Sequence, residues 1–265
     1  MCWRKEYLKL SLSERTIPSG EDRVWGPGNG RYLVPMEQQE QVRQRHDSQA
    51  FAMESLVRVA IAEPLLHDIV NRDLIAYLRA NRQARVELLP LDNPFNPQPE
   101  DAHILVWLRW PESVLPRMYR SDFTMRPLGT LEYVPCVAKR YARGRAHRSD
   151  RTILEKFMLV QLQDYATVPS LAPWNRVVNQ RRAGVTTLRS YGTMRELVRW
   201  GACLGLMPYY VPRLDRNLLA LPDLLPGTME VQAWLAVSPD ASCRPDVSAI
   251  ADMILCAFNE RRGLF

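Results

Sequence analysis

A chain of 265 residues has room for one large domain or for two small ones closely joined. Hydrophobic residues make up 46% and charged residues 24%, enough for a sizeable core and against global disorder. The net charge is +6, no apolar run approaches the roughly 18 residues needed to cross a bilayer, and the start MCWRKEYLKLSLSERT lacks the features of a signal peptide, so a cytoplasmic protein is expected.

Residues 17–35, IPSGEDRVWGPGNGRYLVP, are dense in Gly and Pro and read as turns with at most a short ribbon near Arg23–Trp25. The next stretch, MEQQEQVRQRHDSQAFAMESL (36–56), reads as a polar helix with a thin apolar stripe at Met36, Val42, Phe51 and Met53. Such a helix needs a partner helix. LVRVAIA (56–62) is a β-branched apolar run suited to a buried parallel strand. It stops at Glu63-Pro64, with the proline placed for the first turn of the following helix. That helix, LLHDIVNRDLIAYLRAN (65–81), has a 3.6-period apolar face at 66, 69, 70, 74, 75 and 78. ARVELLPLD (84–92) and AHILVWLRW (102–110) follow as strands, so a parallel sheet covered by helices is expected.

FTMRPLGTLEYVPCVAKRYA (123–142) contains two strand-like stretches around Gly129 and then a helix start. DRTILEKFMLVQLQD (150–164) gives a short helix and the strand MLVQLQ, and WNRVVN and VTTLRS are strand candidates. YGTMRELVRWGACLGLMPYYVPRL (191–214) reads as helix, Gly-rich turn, strand and Pro-capped turn. MEVQAWLAVS (229–238) alternates as a strand. The chain closes on the helix DVSAIADMILCAFNERRG (246–263), apolar at 247, 250, 254, 257 and 258. The β/α alternation runs twice.

The five cysteines never fall in a CxxC pair, and the four histidines are scattered singly, which fits reduced core thiols and no metal site. No HExxH, DxDxDG, GxxxxGK[ST] or GxSxG pattern occurs. No cofactor is implied, and a binding protein is expected rather than an enzyme. The basic excess is almost all arginine, 31 against 4 lysines. Residues 1–54 are neutral, with eight basic and eight acidic side chains, and the densest basic run is KRYARGRAHRSDR (139–151). That run is either a phosphate-contacting surface or a solvated face; no aromatics interleave as on a single-strand platform.

The order LVRVAIAEPLLHDIVNRDLIAYLRANRQARVELLPLD, DAHILVW, LGTLEYVPCVAKRYA, LRSYGTMRELVRWGACLGLMPYYVPRL resembles the effector-binding half of LysR-type transcriptional regulators. The closing stretch AWLAVSPDASCRPDVSAIADMIL is similar to that family's final strand, Arg-Pro turn and helix. The strongest marks are Gly201 through Pro208 and Arg244-Pro245, and the similarity covers about 55–265. The resemblance implies an α/β fold of two Rossmann-like subdomains with a central cleft, like type 2 periplasmic binding proteins. One subdomain would be 55–131 with 228–265 and the other 132–227, with a small-molecule effector between them and a homodimeric or homotetrameric assembly. Residues 1–35 would be a remnant of a winged helix-turn-helix around its wing, LSERT and RVWGPGNGRYLVP, and 36–54 a linker helix. The first helices and most of the recognition helix have no counterpart. Either the start lies too far downstream or the protein is a truncated relative, so DNA binding is expected only if a complete winged helix-turn-helix lies upstream or comes from a partner.

In a two-lobed cleft, ligands meet strand C-termini and helix N-termini. One such point is Glu63, Pro64 and Leu65, where Glu63 either opposes an anionic effector, favouring a neutral or cationic one, or simply caps the helix. A second is Ser190, Tyr191 and Thr193, where Ser190 and Thr193 are placed to cap a helix and offer hydroxyls to a ligand. Trp107, Arg109 and Trp110 end a strand and either hold a planar ligand or pack the lobe. Gln161, Gln163 and Asp164 end a strand of the other lobe, and Met207 and Pro208 are expected at the pocket edge. His67 and His103 are expected in core or surface roles. The alternative function is a cytosolic ligand-binding protein or enzyme on the same fold; against the enzyme, these positions offer no nucleophile with a base beside it.

Overall fold

The computed structural model describes residues 56–98, 101–113, 123–142 and 152–265. The segments anticipated as a wing remnant (1–35) and linker helix (36–54), and 143–151 of the Arg-rich run, lie outside the described residues. The strands are β1 Leu56–Ile61, β2 Arg85–Pro90, β3 Ile104–Arg109, β4 Thr124–Ala138, β5 Met158–Leu162, β6 Val185–Leu188, β7 Cys203–Pro208, β8 Leu218–Ala220 and β9 Glu230–Val237. Four principal helices accompany them. Helix α1 runs as Glu63–Leu65, a π-helical turn Leu66–Val70 and then Asn71–Ala80; α2 is Ala172–Gln180, α3 is Tyr191–Trp200 and α4 is Pro245–Glu260.

Two α/β lobes are joined through β4. The strand order is β2-β1-β3-β9-β4-β7-β5-β6, with β8 also on β4. β1 pairs in parallel with β2 and β3, and β5 pairs in parallel with β6 and β7. β9 is antiparallel to both β3 and the first part of β4. From Tyr133 onward β4 pairs instead with β7, so one strand carries the chain from one lobe to the other. Instead of two stretches around Gly129, β4 is a single strand of 15 residues whose register shifts between Pro127 and Gly129. Pro127 has no N–H for the ladder, and a bulge accommodates it.

Central strands are buried on both faces, as parallel strands under helices must be. Ile104, Val106 and Leu108 of β3 join the main core, while Leu105 and Trp107 point into a smaller cluster with Ala60 and Ala236. Helix α4 buries Val247, Ile250, Ala251, Ile254, Ala257 and Phe258, spaced as one helical face. It packs against α1 and β4, and Arg261, just past its end, reaches Asp73 of α1 at 2.7 Å. In the other lobe α3 presses on β7 so closely that a Cβ on Gly205 would stand 2.6 Å from Val198 Cγ2.

WNRVVN, read from the sequence as a strand, lies in helix α2. Pro169 and Pro173 each sit in a helical first turn, and Trp174, Asn175 and Val178 form the buried side. Tertiary burial of that side outweighs the strand preference of the adjacent valines.

Candidate functional site

The starts of α1 and α3 meet where the two lobes join. Ser190 caps α3, accepting the Thr193 N–H at 3.2 Å. The Tyr191 and Gly192 N–H groups remain free of intrahelical partners, as first-turn donors are. Glu63, from the opposite lobe, takes both. Its Oε2 accepts from Tyr191 N–H at 2.7 Å, and its Oε1 accepts from Gly192 N–H at 2.9 Å and from the Ser190 hydroxyl at 3.0 Å. His67 Nε2 stands 3.6 Å from Glu63 Oε1. The fit depends on glycine: a Cβ on Gly192 would lie 3.2 Å from Glu63 Oε1 and 3.4 Å from His67 Nε2.

Below this contact lies a buried polar cluster of which the sequence singled out Tyr191 alone. The π-helical turn of α1 presents Asp68, whose carboxylate accepts from the Tyr191 hydroxyl at 2.5 Å and lies 3.1 Å from the Arg195 guanidinium. Such turns recur at functional sites. Arg195 also stands 3.8 Å from Asp215, which Arg199 approaches at 3.2 Å. Burial raises the Asp68 carboxyl above its usual range, against the hydrogen bond from Tyr191 and the charge of Arg195. Tyr133, Tyr165 and Tyr210 are each at most 1% exposed, and burial pushes their phenols upward, so all stay neutral. The hydroxyls of Tyr133 and Tyr165 face one another short of good hydrogen-bond geometry, and that of Tyr210 has no hydrogen-bond partner. Buried hydroxyls left so are uncommon and call for an explanation.

The other residues anticipated from the sequence are spread more widely. Pro64 and Leu65 are buried in the first turn of α1, and Tyr191 is 1% exposed, with its hydroxyl and N–H engaged across the lobes. Thr193 is exposed beside them. Trp107 is fully buried in its lobe, 6.3 Å from Trp234, and Arg109 stacks on Trp234 at 5.2 Å. Trp110 instead contacts Phe95 at 6.4 Å, and Phe95 meets Tyr165 of the second lobe edge-on at 6.0 Å. Gln161 is 3% exposed, with its amide spent on Trp174 and Asn175. Gln163 is exposed and accepts from Arg189 at 3.0 Å. Burial raises the Asp164 carboxyl, offset by Arg189 and reinforced by Asp92. Met207 and Pro208 are buried at the end of β7. His103 accepts the Arg58 N–H at 3.1 Å, a structural role.

Three open cavities lie elsewhere. One of about 670 Å³ follows the face of β1 and β2 opposite α1, between Arg58, Glu87, Leu89 and Asn93. Another, of about 260 Å³, is lined by Lys139, Arg140, Arg199, Trp200 and Arg216. A third, of about 210 Å³, lies between Thr124, Arg126, Val237, Ser248 and Asp252, and none of the three is lined by Glu63, Asp68 or the phenols. No helix among the described residues is long and apolar enough to cross a membrane.

Several solved regulator structures have a similar fold. The regulatory domain of AphB from Vibrio vulnificus is 13% identical, covering 76% of this chain and 99% of that one with a TM-score of 0.54. The AmpR effector-binding domain from Citrobacter freundii is 12% identical over 78% and 99% of the two chains, with a TM-score of 0.55. Full-length LysG from Corynebacterium glutamicum, with bound effector Arg, is 13% identical over 85% and 75%, with a TM-score of 0.54. At such identities the likeness establishes the fold, the two-subdomain architecture anticipated from the sequence. Among curated proteins no relative matches the chain. Residues 54–259 match the LysR substrate binding domain, most of the chain's length, and the chain belongs to that family.

Proposed function

We propose that this chain is the sensing part of a LysR-type transcriptional regulator, and that its effector binds between subdomain 55–131 with 228–265 and subdomain 132–227. The observation that carries the site is the set of buried hydroxyls of Tyr133, Tyr165 and Tyr210 beside Asp68, where the lobes meet. Leaving a buried hydroxyl such as that of Tyr210 without a partner costs about 1–3 kcal/mol. A polar small molecule that bonds to these groups recovers that cost on binding. The effector is neutral or cationic, because Glu63 already holds the donors at the start of α3. Tyr191, Thr193 and Met207 are proposed as its neighbours, with Trp110 and Phe95 at the edge. The family membership and the LysG likeness, whose structure carries an effector, support this reading. Homodimeric or homotetrameric assembly belongs to the same proposal. DNA recognition in such a regulator falls to a winged helix-turn-helix and not to these lobes.

The test is a thermal-shift screen of the full chain with neutral and cationic small molecules. A bound effector at 100 times its Kd stabilises by about 2.7 kcal/mol, roughly 5–10 °C in Tm. Tyr210→Phe should leave the unliganded Tm unchanged or slightly higher, since it deletes an unpartnered hydroxyl, and Tyr165→Phe, which also removes the approach to Tyr133, should cost no more than about 1 kcal/mol; each should cut the ligand-induced shift at least by half. Hits that shift parent and both variants equally contradict the site.

A further inference from the structure

We infer that Glu63 is a built-in anion: the junction contains a carboxylate-binding site at the start of α3, and the protein fills it with its own side chain. The geometry is that of a bound ligand. One carboxylate bridges two lobes and places both oxygens on three donors at 2.7–3.0 Å, two of them backbone N–H groups at a positive helix end. The group comes from 127 or more residues away in the sequence, so it is no ordinary cap. Gly192 provides the room, since a Cβ there would crowd the Oε1 position. The Glu63 side chain is 37% exposed, so a small anion from solvent can reach the same donors once the side chain is removed. The facing groups are His67 at 3.6 Å and, one turn further, Asp68 with Arg195. Glu63 thereby sets specificity: an effector carboxylate has no free seat at α3. That consequence rests on the effector reading above, whereas the anion site itself does not.

Chemical rescue tests it on the full chain. Glu63→Ala should lower Tm by roughly 5 °C, the loss of charge-assisted hydrogen bonds. Acetate or formate at tens of millimolar should restore at least half of that loss in Glu63→Ala, with chloride at equal ionic strength as control. The same acetate should leave the parent unchanged. Adding Gly192→Ala to Glu63→Ala should abolish the rescue by filling the seat. If Glu63→Ala does not fold, Glu63→Gln serves: the Tyr191 and Gly192 amides should exchange hydrogen faster than in the parent. Undiminished stability of Glu63→Ala, acetate effects equal in parent and variant, rescue that persists with Gly192→Ala, or unchanged exchange in Glu63→Gln would each overturn the anion site. A parent stabilised by carboxylates through Ser190 and Gly192 would overturn it too, because the seat would then be open. Rescue as described, with no effector found in the screen, would leave the anion site standing and count only against the effector reading.

Discussion

Arg195→Met should destabilise the protein by about 3–5 kcal/mol, lowering Tm by roughly 10 °C. Arg195 stands between two carboxylates whose side chains are 1% and 7% exposed, Asp68 and Asp215. Methionine keeps much of the packing volume and removes the counter-charge. Asp215 retains Arg199, so the loss falls mainly on Asp68. The sign of the pH dependence follows from burial. Asp68 binds its proton more tightly folded than unfolded, so its contribution is fully present below the ordinary carboxylate range and is lost as pH rises through the raised folded value. Removing Arg195 pushes that value higher still. The deficit of Arg195→Met should therefore be largest near neutrality and shrink toward pH 4, and adding Asp68→Asn should recover much of it. A deficit that is constant with pH would assign the loss to packing alone.

Trp174→Ala should cost about 3–5 kcal/mol in urea unfolding, with little change in the denaturant slope. The indole is fully buried, and its N–H donates to Gln161 Oε1. Gln161 in turn donates to Asn175 at 2.8 Å, and Asn175 donates to the carbonyl of Tyr165 at 2.8 Å. This chain of bonds fixes the end of β5 and the loop that carries Tyr165 into the lobe junction. Trp174→Phe separates the two contributions: it keeps most of the ring and loses the N–H, for about 1–3 kcal/mol. Equal losses for the two substitutions would show that the hydrogen bond, not the volume, dominates.

The sheet was legible because its signals are local. LVRVAIA, AHILVWLRW and MEVQAWLAVS are apolar or alternating runs bounded by breakers, and each is a strand in the structure. The failure at WNRVVN came from the same local logic: Val177 and Val178 favour a strand, and only the buried side of the segment, set by Gln161 and the core, selects a helix. The start of α3 was visible as Ser190 followed by Thr193, a capping pattern. Its partner was not. Glu63 lies 127 residues from Ser190, and nothing in the sequence states that a carboxylate of one lobe seats on the other. Tyr133, Tyr165 and Tyr210 sit on separate elements, ordinary core aromatics until the fold brings them beside Asp68. Asp68 gave a faint signal, an acid between the buried Leu65 and Ile69. For Trp107 the sequence left two roles open, holding a planar ligand or packing the lobe, and its neighbours on β9 and the smaller core cluster enclose it.

The most direct measurement is hydrogen–deuterium exchange on the full chain, with and without an effector taken from the thermal-shift screen. If the lobe junction is the sensing site, exchange should slow at Ala62–Leu66, at Tyr165–Val168 and at Ser190–Met194, and change little at Arg85–Pro90. Slowing confined to Arg58, Glu87 and Asn93, which line the outer cavity of the first lobe, would contradict the account.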